Sequence, residues 1–258
     1  KTAELTQKRG CNPSCVYLQR GNNMSWSKET DFNGFIERRF EIPSHERTVP
    51  GVYWEPKSGA KRLVMLGHGG TMHKRTGYIL TLAHLFLQNG IAALAIDGPG
   101  HGERDPAGAW RGGQEEFKKA WTSGGGTKTS TEDWGESLKF IEGDFGVRPV
   151  GWWGVSMGTM MGIPFIASCK KISAACLGLM GNWGPNKSDL MKLAPDISCP
   201  VRFLAQWDDE IVPISGCLEL FEKLGTKKKT LHGNPGAHAA IPNFEFTDSV
   251  KYLTKHIK

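Results

Sequence analysis

A chain of 258 residues, 39% hydrophobic and 22% charged, has the composition of a soluble globular protein and can bury roughly 70–75% of its unfolded surface without disulfide or metal staples. No run of roughly 18 apolar residues occurs, which excludes a membrane-spanning helix. The net charge of +6 gathers in short runs, Lys170-Lys171 and Lys227-Lys228-Lys229, with no interleaved aromatics to stack bases; these predict a solvated basic face and argue against nucleic acid as a partner.

Residues 1–34 are polar and without a clear period, and read as an arm packed on the surface of a single domain covering residues 35–258. Cys11 and Cys15 flank the turn sequence Asn-Pro-Ser; a disulfide and two free thiols both stay open, and the lack of a second cluster argues against a metal. Cys169, Cys176 and Cys199 lie in apolar segments, as small core residues do. Asn23-Met24-Ser25 and Asn186-Lys187-Ser188 are glycosylation acceptors in form only. The first thirty residues contain nothing like a secretion signal, although the first residue is Lys1 and a removed segment stays open. A soluble, cytoplasmic protein is mildly favoured; oligomeric state is not legible.

Strand candidates follow at Phe35–Ile42 and Thr48–Trp54, with a turn at Pro43-Ser44, and a third, apolar and therefore central, at Lys61–Gly67. After the turn His68-Gly69-Gly70-Thr71, helical apolar spacing covers Gly77–Asn89, with Gly90 ending it. Ile91–Ile96 has no polar side and reads as a parallel strand buried on both faces. The turn Asp97–Arg104 opens the longest loop region, Asp105–Ser130, with a short helix at Gln114–Trp121; a helix at Thr131–Phe145 is capped by Thr131 or Ser130. Strands at Val150–Trp153, Ala174–Met180, Val201–Ala205 and Lys228–His232 then alternate with helices at Thr159–Ala167, Ser215–Leu224 and Asn243–Ile257. Strand–helix alternation argues a mostly parallel sheet of about eight strands with helices on both faces. The connection between Met180 and Val201 is too short for a large lid.

Chemistry concentrates at Gly154-Val155-Ser156-Met157-Gly158, between a strand and a helix. A chain that reverses so tightly exposes the Ser156 hydroxyl at the carboxyl edge of the sheet, and Met157, opening the helix, keeps a free N–H beside it. Asp208, Asp209 and His238 come later in the chain, each just past a strand, where open α/β sheets bind ligands. A serine hydroxyl needs a base, and the base needs a carboxylate to orient it.

The order Ser, Asp, His in this context resembles the α/β-hydrolase fold over roughly residues 35–258, and within it the dienelactone-hydrolase-like small carboxylesterases. The resemblance rests on His68-Gly69-Gly70, Gly154–Gly158, Asp209-Glu210-Ile211-Val212-Pro213 and Gly236-Ala237-His238. It implies Ser156 as nucleophile, His238 as base and Asp209, ahead of its neighbour Asp208, as the orienting acid. Main-chain N–H groups of Met157 and Gly70, with Thr71 as the alternative to Gly70, would form the oxyanion hole. Dienelactone hydrolases proper carry cysteine at the elbow, so Ser156 points to ester hydrolysis through an acyl-enzyme.

Neither a metal nor a cofactor is implied, and the partner is a small-molecule ester. Thr71, Trp183 and Trp207 are candidate pocket residues, with Trp110 in the long loop. Lys74, Arg75 and Arg104 lie in the two flanking loops, where simple surface charge is favoured over contact with an acidic substrate. His68 and His101 read as loop braces, and Asp97 as a turn cap. Thioester cleavage, acyl transfer and amide hydrolysis need the same triad, and a ligand-binding member of the fold that turns nothing over is the remaining alternative.

Overall fold

The computed structural model describes residues 25–32, 34–105, 114–122 and 125–258. The proposed arm up to Met24, the Cys11/Cys15 turn, Asn23 and Trp110 lie outside the described residues.

Among the described residues, nine strands form one sheet in the order β1-β2-β3-β5-β4-β6-β7-β8-β9. They are β1 Ser25–Phe32, β2 Phe35–Ser44, β3 Arg47–Pro56, β4 Leu63–Gly67, β5 Ala92–Ile96, β6 Val150–Gly154, β7 Ile172–Gly178, β8 Val201–Gln206 and β9 Lys229–Asn234. Strands β5, β4, β6, β7, β8 and β9 run parallel, while β1, β2 and β3 are antiparallel neighbours at one edge. One strand more is present than the eight or so expected, because β1 lies within the segment read as an arm. Of its two large apolar residues Phe32 is exposed, while Trp26 packs edge-on to Phe40 at 5.6 Å and its indole N–H reaches Asp144 at 2.7 Å.

The central strands are buried on both faces, which is why their sequences lack polar alternation. Their side chains divide by the period of two. Leu63, Met65 and Trp152 enter one core; Val64, Leu66 and Trp153 enter the other. Helices α1 (Gly77–Gln88) and α7 (Asn243–His256) cover the second core. The first lies under α2 (Gln114–Thr122), α3 (Gly126–Phe145), α4 (Met157–Ser168), α5 (Lys187–Leu193) and α6 (Ile214–Lys223).

Helix α4 is apolar around almost its whole circumference and is buried from Met157 to Ile166. Pro164 interrupts it, removing the N–H that would bond the Met160 carbonyl. The Asn186 side-chain amide reaches that carbonyl instead, at 3.3 Å, and Asn186 is itself buried. One lysine of the basic run departs from the expected solvated face. Lys229 Nζ donates to the carbonyls of Phe221, Glu222 and Leu224 at 2.8–2.9 Å, closing the C-terminus of α6, where free carbonyls attract a cation.

Candidate active site

Ser156 joins β6 to α4 with φ 56° and ψ −122°, a conformation costly for a residue with a side chain. The surroundings enforce it. A side chain on Gly154 would sit 2.8 Å from the Gly158 carbonyl oxygen, and one on Gly158 would strike the Gly67 carbonyl, so strand, turn and helix meet backbone to backbone. The Ser156 N–H donates to the Gly178 carbonyl at 2.9 Å, tying the turn to the end of β7. Thr159, fully buried, completes the tie: its hydroxyl oxygen accepts the Gly178 N–H at 2.8 Å and lies 2.7 Å from the Gly178 carbonyl and 2.9 Å from that of Gly154. Sequence reasoning passed over Thr159, although a lone hydroxyl at the start of an otherwise apolar helix was a readable signal.

The loops after β8 and β9 bring Asp209 and His238 to this turn. His238 Nδ1–H donates to Asp209 Oδ2 at 2.7 Å, which leaves the Nε2 lone pair to accept the Ser156 hydroxyl at 2.9 Å. Asp209 is held in turn: its Oδ1 accepts the N–H groups of Ile211 and Val212 at 2.9 and 2.8 Å, and its side chain is almost wholly buried. Both neighbours of Asp209 bind the histidine loop instead of the imidazole. Asp208 Oδ2 accepts the Gly236 N–H and Glu210 Oε2 the His238 N–H, each at 2.8 Å.

Met157 follows Ser156, and Gly70 lies in the loop after β4, the strand paired with β6. Met157 opens α4, and neither its N–H nor that of Gly70 meets an acceptor among the described residues. The Gly69 N–H, by contrast, is taken by the Tyr78 hydroxyl at 2.6 Å. Thr71 has φ 59° and turns its hydroxyl back onto the Gly70 carbonyl at 2.7 Å. Trp183 and Trp207 lie past β7 and β8 and are 46% and 51% exposed.

The glycine-rich loops after β4 and β5 are cross-braced. His68 Nδ1–H donates to the Gly69 carbonyl while Nε2 accepts the Gly98 N–H, both at 2.8 Å. Burial pushes this imidazole from 6.5 down to about 3, so the ring is a neutral strut. His101 Nδ1 bonds the Pro99 carbonyl at 2.8 Å. Asp97 accepts the Lys74 N–H at 2.8 Å, Lys74 Nζ at 2.5 Å and the Glu103 N–H at 2.9 Å. Lys74, Arg75 and Arg104 are therefore not simple surface charges, as their loops suggested. Lys74 is buried against Asp97, Arg75 pairs with Glu37, and Arg104 meets Asp133 at 2.8 Å, because charge taken from water must be matched. Among the described residues, no group of three or more His, Cys, Asp or Glu could hold a metal ion.

The fold recurs in a cold-adapted esterase from an Arctic intertidal metagenomic library, which is 52% identical over 91% of this chain and 100% of its own, with a TM-score of 0.86. The chain belongs to the same family as that esterase and has the α/β-hydrolase fold. It is a carboxylesterase-type hydrolase. More distant structures share the esterase's fold. A Pyrococcus furiosus esterase aligns over 86% of this chain and 93% of its own at 16% identity and TM-score 0.67. A dienelactone hydrolase from Anabaena variabilis aligns over 88% of this chain and 100% of its own at 17% identity and TM-score 0.65. No family model and no curated protein matches this chain.

Proposed function

We propose that this esterase cleaves carboxylic esters through an acyl-enzyme on Ser156. The reading rests on the unbroken hydrogen-bond chain from Asp209 through His238 to Ser156, at 2.7 and 2.9 Å. His238 Nε2 takes the hydroxyl proton as Ser156 Oγ bonds to the ester carbonyl carbon. The carbonyl oxygen gathers the negative charge, and the main-chain N–H groups of Met157 and Gly70 stabilise it. His238 then returns the proton to the departing alkoxide as the C–O bond breaks. A water molecule repeats both steps on the acyl-enzyme, releasing the acid. Asp209 holds the imidazole with Nε2 facing Ser156 and stabilises its charged form.

The leaving alcohol must lie near His238, on the side of β7, β8 and β9, where Trp183 and Trp207 stand exposed. Their rings suit an apolar alcohol group, while Thr71, whose hydroxyl is engaged with Gly70, holds the turn after β4 on the opposite side of β6. A phosphonate probe followed by peptide mapping tests the nucleophile. Label is expected on Ser156, and none on the Ser156→Ala variant, which should also lose turnover of short nitrophenyl esters. Label on another serine of the intact protein would overturn the assignment.

A further inference from the structure

The sheet order divides the neighbourhood of Ser156 into two sides. Strands β4 and β5, whose loops carry Gly70 and His101, lie to one side of β6; strands β7, β8 and β9, whose loops carry Trp183, Asp209 and His238, lie to the other. Helix α2 belongs to the first side. Its Phe117 stands edge-on to His101 with ring centroids 6.0 Å apart, and a side chain built on Gly70 would lie 3.9 Å from the Phe117 ring. Phe117 is half-buried against the core and tilted on the buried Trp121 at 6.3 Å, so its ring is held from behind.

The reaction geometry says what meets that ring. In the tetrahedral adduct the former carbonyl carbon carries Ser156 Oγ, the oxyanion, the leaving oxygen and the acyl carbon. The leaving oxygen must come within about 3 Å of His238 Nε2 to receive its proton. It therefore points toward β8 and β9. The oxyanion sits on the Gly70 and Met157 N–H groups. The acyl carbon takes the fourth tetrahedral direction, away from His238, and Phe117 stands on the side of β6 opposite the His238 loop, beside Gly70 and His101.

We propose that Phe117 is a specificity-determining residue that closes the acyl side of the site, so that this esterase prefers short acyl groups while leaving the alcohol side open. The assignment builds on the Ser156–His238 reading. Replacing the ring with a methyl group opens a path for further methylenes, and each methylene in an apolar pocket changes discrimination by about tenfold or more.

The test uses nitrophenyl esters from acetyl to octanoyl, together with acetate esters of graded alcohols, on the intact chain and on Phe117→Ala and Phe117→Leu. Phe117→Ala is expected to raise the octanoyl-to-acetyl ratio of kcat/KM by about 10–100-fold, with Phe117→Leu between it and the parent. The alcohol profile should not move. An unchanged acyl ratio, an equal loss on every ester, or a shift confined to the alcohol series would overturn the role of Phe117. If Phe117→Ala fails to fold, as thermal unfolding would reveal, the ratio for Phe117→Leu decides alone. Labelling Ser156 with the phosphonate probe in the same samples separates the two readings. A labelled serine with an unchanged acyl ratio removes only the Phe117 assignment, whereas an unlabelled serine in the parent removes the triad beneath it.

Discussion

Thr159→Val isolates the brace behind Ser156, because valine matches threonine in shape and removes only the hydroxyl. The parent hydroxyl accepts the Gly178 N–H and offers its own proton to the carbonyl of Gly178 or Gly154. The Gly178 carbonyl keeps the Ser156 N–H after substitution, whereas the Gly178 N–H is left buried and unbonded. An orphaned buried donor costs about 1–3 kcal/mol. For a chain of this size that lowers Tm by about 2–12 °C. The same figure bears on catalysis, since holding a residue such as Ser156 at positive φ costs about 1–3 kcal/mol. A weaker brace allows relaxed turns to compete, and kcat should fall about tenfold, equivalent to about 1.4 kcal/mol, with little change in KM. Steady-state kinetics on a short nitrophenyl ester and calorimetric unfolding measure both effects. Thr159→Ser keeps the hydroxyl and should stay close to the parent in kcat. The reasoning fails if Thr159→Val matches the parent in Tm and kcat, or if Thr159→Ser is equally impaired.

Two further outcomes are expected. Asp209→Asn should lower kcat by about 10⁴-fold, since an amide in place of the carboxylate disfavours the tautomer His238 needs. Asp208→Asn keeps an oxygen for the Gly236 N–H and should lose far less; equal losses, seen in kcat with circular dichroism unchanged, would reverse the roles. His68 stays neutral when folded but takes a proton below about 6.5 when unfolded, so its contribution to stability is complete above that pH and is lost as pH falls toward about 3. Between about pH 7.5 and about pH 5 the loss is about 2 kcal/mol, which urea midpoints should show in the parent and not in His68→Gln. A variant that loses stability as steeply as the parent would refute this.

Residues whose chemistry demands a local backbone form were legible from the sequence. The reversal at Ser156 needs close backbone packing at Gly154 and Gly158, and this demand writes a short motif between an apolar strand and an apolar helix. Ends of parallel strands were legible for the same reason, because β4, β5, β6 and β8 are buried on both faces. What stayed hidden depends on partners distant in sequence. Among the described residues β1 pairs only with β2, and alternating Trp26, Lys28 and Thr30 carries too little apolar weight to declare it. Helix α3 begins at Gly126, before the expected Thr131, after a left-handed Gly125 that makes no side-chain cap, so no capping residue marks the start. The burial of Lys74 rests on Asp97, 23 positions away, and the role of Asn186 rests on a carbonyl that Pro164 leaves free.

Three consecutive acidic residues grip the histidine loop at three points: Asp208 at the Gly236 amide, Asp209 at the imidazole, Glu210 at the His238 amide. Two of these bonds hold backbone, and only one holds the ring. The acid loop and the histidine loop are thereby one cooperative unit, able to detach from the sheet together more readily than from each other. In hydrogen-exchange terms, the amides of Gly236, His238, Ile211 and Val212 would share a common opening free energy, although the two loops are separated by a helix and a strand. Warming would then part His238 from Ser156 in one step, with His238 and Asp209 still joined.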